Sequence, residues 1–242
     1  MVKNKMIFSR KKNNKLISVI LPSRKRLDLL QKTLDSIYSL ADPKNDNFEV
    51  IIKFDLDDIE SLEYIKSWNS KRKGVTFVIN DRGLGWLNMV DFVEDMIDLA
   101  KGEWILNVND DMVFLTQDWN TLLEKRLTDF KFYAPYVNQY HFAFPVYPKK
   151  VKQILGRLAP HNQIDAYLFS LFYKLDRIER IDEVKFYHDV HLKDTTAMEK
   201  IGLWDLNYDT KDHHYTSPEF NSDLEKLKQY INEQLLSTTN ER

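Results

Sequence analysis

The segment Gly102-Glu103-Trp104-Ile105-Leu106-Asn107-Val108-Asn109-Asp110-Asp111-Met112-Val113-Phe114 decides how the chain folds. A glycine closes a preceding helix, an apolar run Trp104–Val108 follows, and the run ends on two adjacent carboxylates. A short apolar run bounded by such signals reads as a buried strand. The acids therefore stand at a strand's carboxyl end. The same arrangement recurs upstream. Leu16–Leu21 runs into Pro22-Ser23-Arg24, Val50–Phe54 into Asp55, Asp57 and Asp58, and Val75–Ile79 into Asp81-Arg82. Between these runs, Leu27, Leu30, Leu34 and Ile37 recur at helical spacing, as do Leu87, Val90, Val93 and Ile97. Strand and helix alternating over short links predict an α/β fold, a mostly parallel central sheet flanked by helices. In such sheets ligands bind beyond the carboxyl ends of the strands, where all four polar clusters lie.

The second half is less regular. Phe132–Val137 and Phe142–Val146 read as short strands, Lys149–Leu155 as a short helix stopped by Gly156, and Ile164–Leu175 as a longer helix. Val184–Val190 reads as a late strand, and Leu224, Leu227, Ile231 and Leu235 mark a terminal helix. No repeat or linker interrupts the chain. The expected organisation is a basic arm over 1–15 and a single domain over 16–236. That domain divides into a nucleotide-binding half (16–116), an acceptor half (117–205) and a closing loop and helix (206–236).

The totals narrow the chemistry. The 242 residues contain no cysteine, which removes disulfides, thiolate zinc sites and cysteine nucleophiles. Only six glycines occur, and none forms a GxxxxGK[ST] loop or a complete GxGxxG. Any phosphate must then be met by side chains or a metal. Net charge is −2, against a general nucleic-acid binder. No apolar run approaches the roughly 20 residues that span a bilayer, and no signal peptide is evident, so the expected location is the cytoplasm. Lys3, Lys5, Arg10, Lys11, Lys12 and Lys15 make the arm basic. It reads either as a solvated arm or as a peripheral contact with a membrane surface.

Asp110 and Asp111 admit two readings, a plain turn or a carboxylate pair holding a hard divalent cation against a diphosphate. Their setting favours the second. Ile17–Leu21 with Pro22-Ser23-Arg24, then Glu49-Val50-Ile51-Ile52 with Asp55, then Gly102-Glu103-Trp104-Ile105-Leu106 before Asn109-Asp110-Asp111, resembles the GT-A-fold glycosyltransferases, most closely family 2. The likeness spans Ile17 to about Thr116, and more loosely Phe144 to His191. It implies a hexosyltransferase-type enzyme of carbohydrate biosynthesis. A UDP- or GDP-linked sugar would be donor, a glycan or other hydroxyl the acceptor, Mn²⁺ or Mg²⁺ the cofactor, and the transfer inverting.

The resemblance also assigns residues. Pro22, Ser23 and Arg24 would line the nucleotide pocket, and Asp55, with Asp57 as alternative, would accept hydrogen bonds from the base. Arg82 would approach base or phosphates, Asp110 would meet ribose or sugar, and Asp111 would ligate the metal of the DXD-like motif. Asn109 departs from the family pattern, where many members carry Asp. Asp165 is the candidate catalytic base, and its alternative is a helix cap. His188 is the candidate third metal ligand, with His191 behind it, while His213-His214 reads as loop. Tyr133, Tyr136, Tyr140, Phe142, Phe144 and Tyr147 form either core or an acceptor groove. Two other functions share these features: a sugar-phosphate nucleotidyltransferase, and a catalytically inactive glycan- or protein-binding module.

Overall fold

The computed structural model describes residues 6–8, 16–67, 74–138, 143–189 and 217–240. The chain runs β1 (Met6–Phe8), β2 (Ile17–Pro22), α1 (Leu27–Ser39), β3 (Phe48–Asp55), α2 (Ile59–Lys66) and β4 (Val75–Asn80). A 3-10 turn (Gly85–Asn88) leads into α3 (Met89–Leu99), β5 (Trp104–Asn107), β6 (Met112–Phe114) and α4 (Trp119–Arg126). Then come β7 (Phe132–Val137), β8 (Val146–Pro148), α5 (Lys150–Leu155), α6 (Ile164–Lys174), β9 (Ile178–His188) and α7 (Pro218–Asn240). Tyr140, Phe142, His191 and His213-His214 lie outside the described residues, as does most of the 1–15 arm.

Among the described residues the strands form one nine-stranded sheet in the order β1-β4-β3-β2-β5-β8-β7-β9-β6. Its centre, β4-β3-β2-β5, is parallel. Val19, Leu21, Val50, Ile52 and Leu106 face α1, Trp119 and Phe114 on one side. Ile20, Ile51, Val78 and Ile105 face α3, α6 and α7 on the other. Because both faces are covered, the central strands are apolar at nearly every position, as buried parallel strands are. This is the expected α/β architecture.

Three departures have local causes. The strand expected at Phe142–Val146 begins only at Val146, because Phe144 takes a left-handed φ of 57° and Pro145 follows it. The late strand begins at Ile178, six residues early, since Glu179, Arg180, Asp182 and Glu183 interrupt its apolar pattern on the exposed side. Helices α2 and α4, eight residues each, and the three-residue β6 are too short to show a period.

A buried knot ties the amino ends of the central strands together. Ser18 Oγ donates to Glu49 Oε1 at 2.7 Å and accepts from Gly102 N at 2.9 Å. A Cβ on Gly102 would lie 2.6 Å from the Ser18 backbone nitrogen, so the glycine is required by close approach of β2 rather than by torsion. Gly102→Ala should therefore destabilise the fold by about 1–3 kcal/mol. Denaturant unfolding should show a lower midpoint with an unchanged slope.

Candidate active site at the carboxyl ends of the strands

The site begins where β2 stops. Ser23 N donates to Lys53 O at 2.9 Å, prolonging the β2–β3 ladder by one rung. Lys25 then turns left-handed (φ 51°), and its N–H donates to Asp58 Oδ2 at 2.7 Å. Asp58 is itself fixed as the N-cap of α2, accepting from Ser61 Oγ at 2.7 Å. The turn at Lys25 sends its two neighbouring arginines to different acids.

Arg24 goes to the β3 side. It pairs with Asp55 at 2.8 Å and grips Asp57 through both terminal nitrogens. That contact, outweighing the small cost of burial, holds the Asp57 carboxyl down at about 2 and raises the Arg24 guanidinium. Asp55 is buried and also takes Lys53, whose ammonium lies 3.5 Å over the Phe92 ring. Burial, only partly offset by Asp55, lowers Lys53 from the ordinary lysine value.

Arg26 goes to the β5–β6 side. Its Nε donates to Asp110 Oδ2 at 3.2 Å, one terminal nitrogen to Asp110 Oδ1, and the other to Asp111 Oδ2 at 3.1 Å. Ser23 Oγ adds a bond to Asp110 Oδ2 at 2.8 Å. Asp110 is 0% exposed, and burial pushes its carboxyl up to about 6 against the pull of Arg26 and Ser23. From α1, Thr33 Oγ1 donates to the Asp110 carbonyl at 2.9 Å, and Ser36 Oγ accepts from Phe114 N at 3.0 Å. These two hydroxyls on one helical face hold the turn from Asp110 into β6.

That short strand brings His188 to the site. β6 pairs antiparallel with β9, placing Met112 opposite His188, and Asp189 N donates to the Asp111 carbonyl at 3.1 Å. His188 Nε2 thus lies 3.2 Å from Asp111 Oδ1. Asn138, at the end of β7, clamps the His188 backbone through bonds of 2.7 and 3.2 Å, and Phe144 meets its ring edge-on. Burial acts to raise the Asp111 carboxyl, but His188 and Arg26 outweigh it and leave it below the ordinary carboxylate value.

Ser23, Asp110, Asp111 and His188 are thus brought together, and Arg24 and Asp55 form a second cluster one strand away, with Pro22 at the β2 end between them. Arg82 follows β4, with its guanidinium folded over Gly85, where a Cβ would lie 3.0 Å from Nε. Asp165 sits in the first turn of α6, where its Oδ1 accepts from Ala166 N at 2.9 Å. The buried Tyr147 hydroxyl, raised mainly by burial and then by Glu94 and Asp165, bonds Asn107 Oδ1 at the end of β5. Tyr133 and Tyr147 are fully buried and Phe144 nearly so, which makes these three aromatics core rather than groove. Arg26, Lys53 and Asn138 are site residues that the sequence reading missed.

A divalent ion can be tested against these side chains. Asp111 Oδ1 is buried and faces His188 Nε2 at 3.2 Å without forming a well-aligned hydrogen bond, an expensive condition for a carboxylate oxygen unless a ligand satisfies it. Carboxylate oxygen with imidazole suits Mn²⁺. No cluster of three or more acidic, histidine or cysteine ligands occurs among the described residues. Two protein ligands suffice where phosphate oxygens and water complete the shell. The donor set fits.

The sequence profile of glycosyl transferase family 2 matches residues 18–174. The chain belongs to that family. No curated protein matches it in sequence. Among solved structures, the mannosyltransferase PcManGT from Pyrobaculum calidifontis in complex with GDP-Man and Mn²⁺ is similar at TM-score 0.62 and 13% identity, covering 88% of this chain and 69% of that one. S. aureus TarS 1-349 in complex with UDP is similar at TM-score 0.55 and 15% identity, and in complex with UDP-GlcNAc at 0.54 and 14%. These comparisons cover 71% of this chain and 60% and 58% of the TarS fragment. The shared feature is the GT-A arrangement of sheet and helices. Within the family site, the buried pair and the exposed pair should differ sharply in value. Asp110→Ala should cost about 1–3 kcal/mol, because it leaves the buried Ser23 hydroxyl and the partly exposed Arg26 without their shared acceptor, while Asp57→Ala, more than half exposed, should cost less than about 1 kcal/mol. Urea unfolding of the two variants without ligand measures the contrast.

Proposed function

We propose that the chain transfers a sugar from a UDP- or GDP-linked donor to an acceptor hydroxyl, with inversion and with a divalent metal. The observation that carries this reading is the meeting of Asp111 and His188 across β6–β9, with Asp111 Oδ1 buried 3.2 Å from His188 Nε2 and its other oxygen held by Arg26. Family membership and the nucleotide sugars bound by TarS and PcManGT support it.

Each part of the cleft takes a role from its position. Pro22, Ser23 and Arg24 form the floor under the nucleotide; Asp55, buried with both oxygens held by Arg24 and Lys53, would orient those cations, leaving the exposed Asp57 as the acceptor for the base. Arg82 borders the same pocket from the end of β4. Asp111 and His188 would hold Mn²⁺ or Mg²⁺, which would neutralise charge on the departing diphosphate. Asp110 differs from its sequence assignment. Fully buried, with both oxygens bound to Ser23 and Arg26, it acts through those residues rather than by reaching the ribose. Asp165 would take the proton of the attacking hydroxyl. Its seat in the first turn of α6 puts it at the positive end of the helix dipole, and a general base there must be within hydrogen-bond reach of the acceptor hydroxyl.

Donor binding and proton transfer can be separated experimentally. UDP or GDP with Mn²⁺ should raise the melting temperature by several degrees when present well above its Kd, and Asp111→Ala should erase that gain. Absence of any shift with either nucleotide contradicts the reading. Asp165→Asn should keep the melting shift while lowering turnover about 10²–10⁴-fold; unchanged turnover removes Asp165 from the mechanism.

A further inference from the structure

Arg26 occupies a position that calls for an explanation. Its guanidinium spans both carboxylates of the acidic pair, committing two nitrogens to Asp110 and the third to Asp111 Oδ2. Its side chain is 22% exposed, so it borders the cleft. The neighbouring cations are engaged elsewhere: Arg24 with Asp55 and Asp57, and Lys53 with Asp55. Arg26 is thus the guanidinium that offsets one of the two charges at Asp110 and Asp111. It also holds one of the two Asp111 oxygens, the other facing His188.

We infer that Arg26 is the resident counter-cation of the acidic pair and makes divalent metal binding conditional on the nucleotide diphosphate. The inference rests on Asp111 and His188 being the metal ligands. Without a diphosphate, Arg26 competes for Asp111 Oδ2 and repels a second cation brought to the same carboxylate. A diphosphate gives the guanidinium new oxygens, which its planar fork matches as well as it matches carboxylate. Arg26 then releases Asp111 while its two bonds to Asp110 keep the guanidinium in place. Metal and nucleotide affinities rise together, and by linkage each raises the other by one factor.

The test uses Mn²⁺ alone as the probe. Free Mn²⁺ is followed by electron paramagnetic resonance during titration of the whole wild-type chain, Arg26→Gln and Arg26→Lys. Arg26→Gln should bind Mn²⁺ at least tenfold more tightly than wild type, and Arg26→Lys, which keeps the charge, should stay near wild type. In the wild-type chain the Arg26 Nε–H resonance, assigned by its loss in Arg26→Lys, should be unmoved by Mg²⁺ alone and should shift when UDP or GDP is present with Mg²⁺. This second measurement decides the matter if Arg26→Gln does not fold. Equal or weaker Mn²⁺ binding by folded Arg26→Gln, while Mn²⁺ with a nucleotide still stabilises wild type, overturns the inference and leaves the metal site standing. An Nε–H signal indifferent to Mg²⁺ with nucleotide does the same. Failure of every variant to bind Mn²⁺, with or without nucleotide, overturns both.

Discussion

A carboxylate with no solvent exposure, Asp110, has to be paid for by its partners, and the arrangement of the cleft follows from how they do it. An isolated buried carboxylate would cost several kcal/mol. Here Ser23 and Arg26 come from the loop after β2, and Thr33 comes from α1 to take the carbonyl of the same residue. β2, α1 and the β5–β6 turn are therefore fixed to one another at a single point. Asp111 follows immediately, and β6 follows Asp111, so the same anchor sets the register in which β9 delivers His188. The carboxylate at the heart of the site does its work by being inaccessible. Its neighbour in the sequence is the one left with an oxygen to offer.

The second organising feature is the division of positive charge by the left-handed turn at Lys25. Arg24 serves Asp55 and Asp57, while Arg26 serves Asp110 and Asp111. On the proposed reading such a site needs little glycine, since the phosphates would be met by guanidinium groups and a carboxylate-bound ion rather than by a nest of backbone amides. The two glycines that border these features act differently, Gly102 by space alone and Gly85 with a left-handed φ of 62° besides. Gly102 lets β2 approach at the far end of the sheet, and Gly85 leaves room for the Arg82 guanidinium.

Much of the fold was legible because burial on both faces writes continuous apolar runs. β2, β4 and β5 fall within a residue or so of their expected bounds, and β3 is longer by Phe48 and Glu49 at one end and Asp55 at the other. The acidic cluster at the strand ends was legible for the same reason, since it interrupts those runs abruptly. Other parts left no such mark. A three-residue strand has no period, so the pairing that brings His188 to Asp111 could only be supplied by the resemblance. Arg26 reads as one more surface charge in Ser23-Arg24-Lys25-Arg26 until the Lys25 turn is known. Asp110 and Asp111 look alike in sequence, yet one is enclosed by Ser23, Arg26 and Thr33 while the other turns an oxygen to His188. Phe144 and Tyr147 looked available for stacking on sugar, but tight packing around β8 consumes them.

The central claim is that a metal-bound nucleotide diphosphate sits over the carboxyl ends of β2 and β5, on Asp111 and His188. A crystal of the chain grown with Mn²⁺ and UDP or GDP tests it most directly, through the anomalous scattering of manganese. The account predicts one strong peak within bonding reach of Asp111 Oδ1 and of a His188 ring nitrogen, with the diphosphate against it. A nucleotide bound with manganese on other residues, or a peak remote from Asp111, would contradict it.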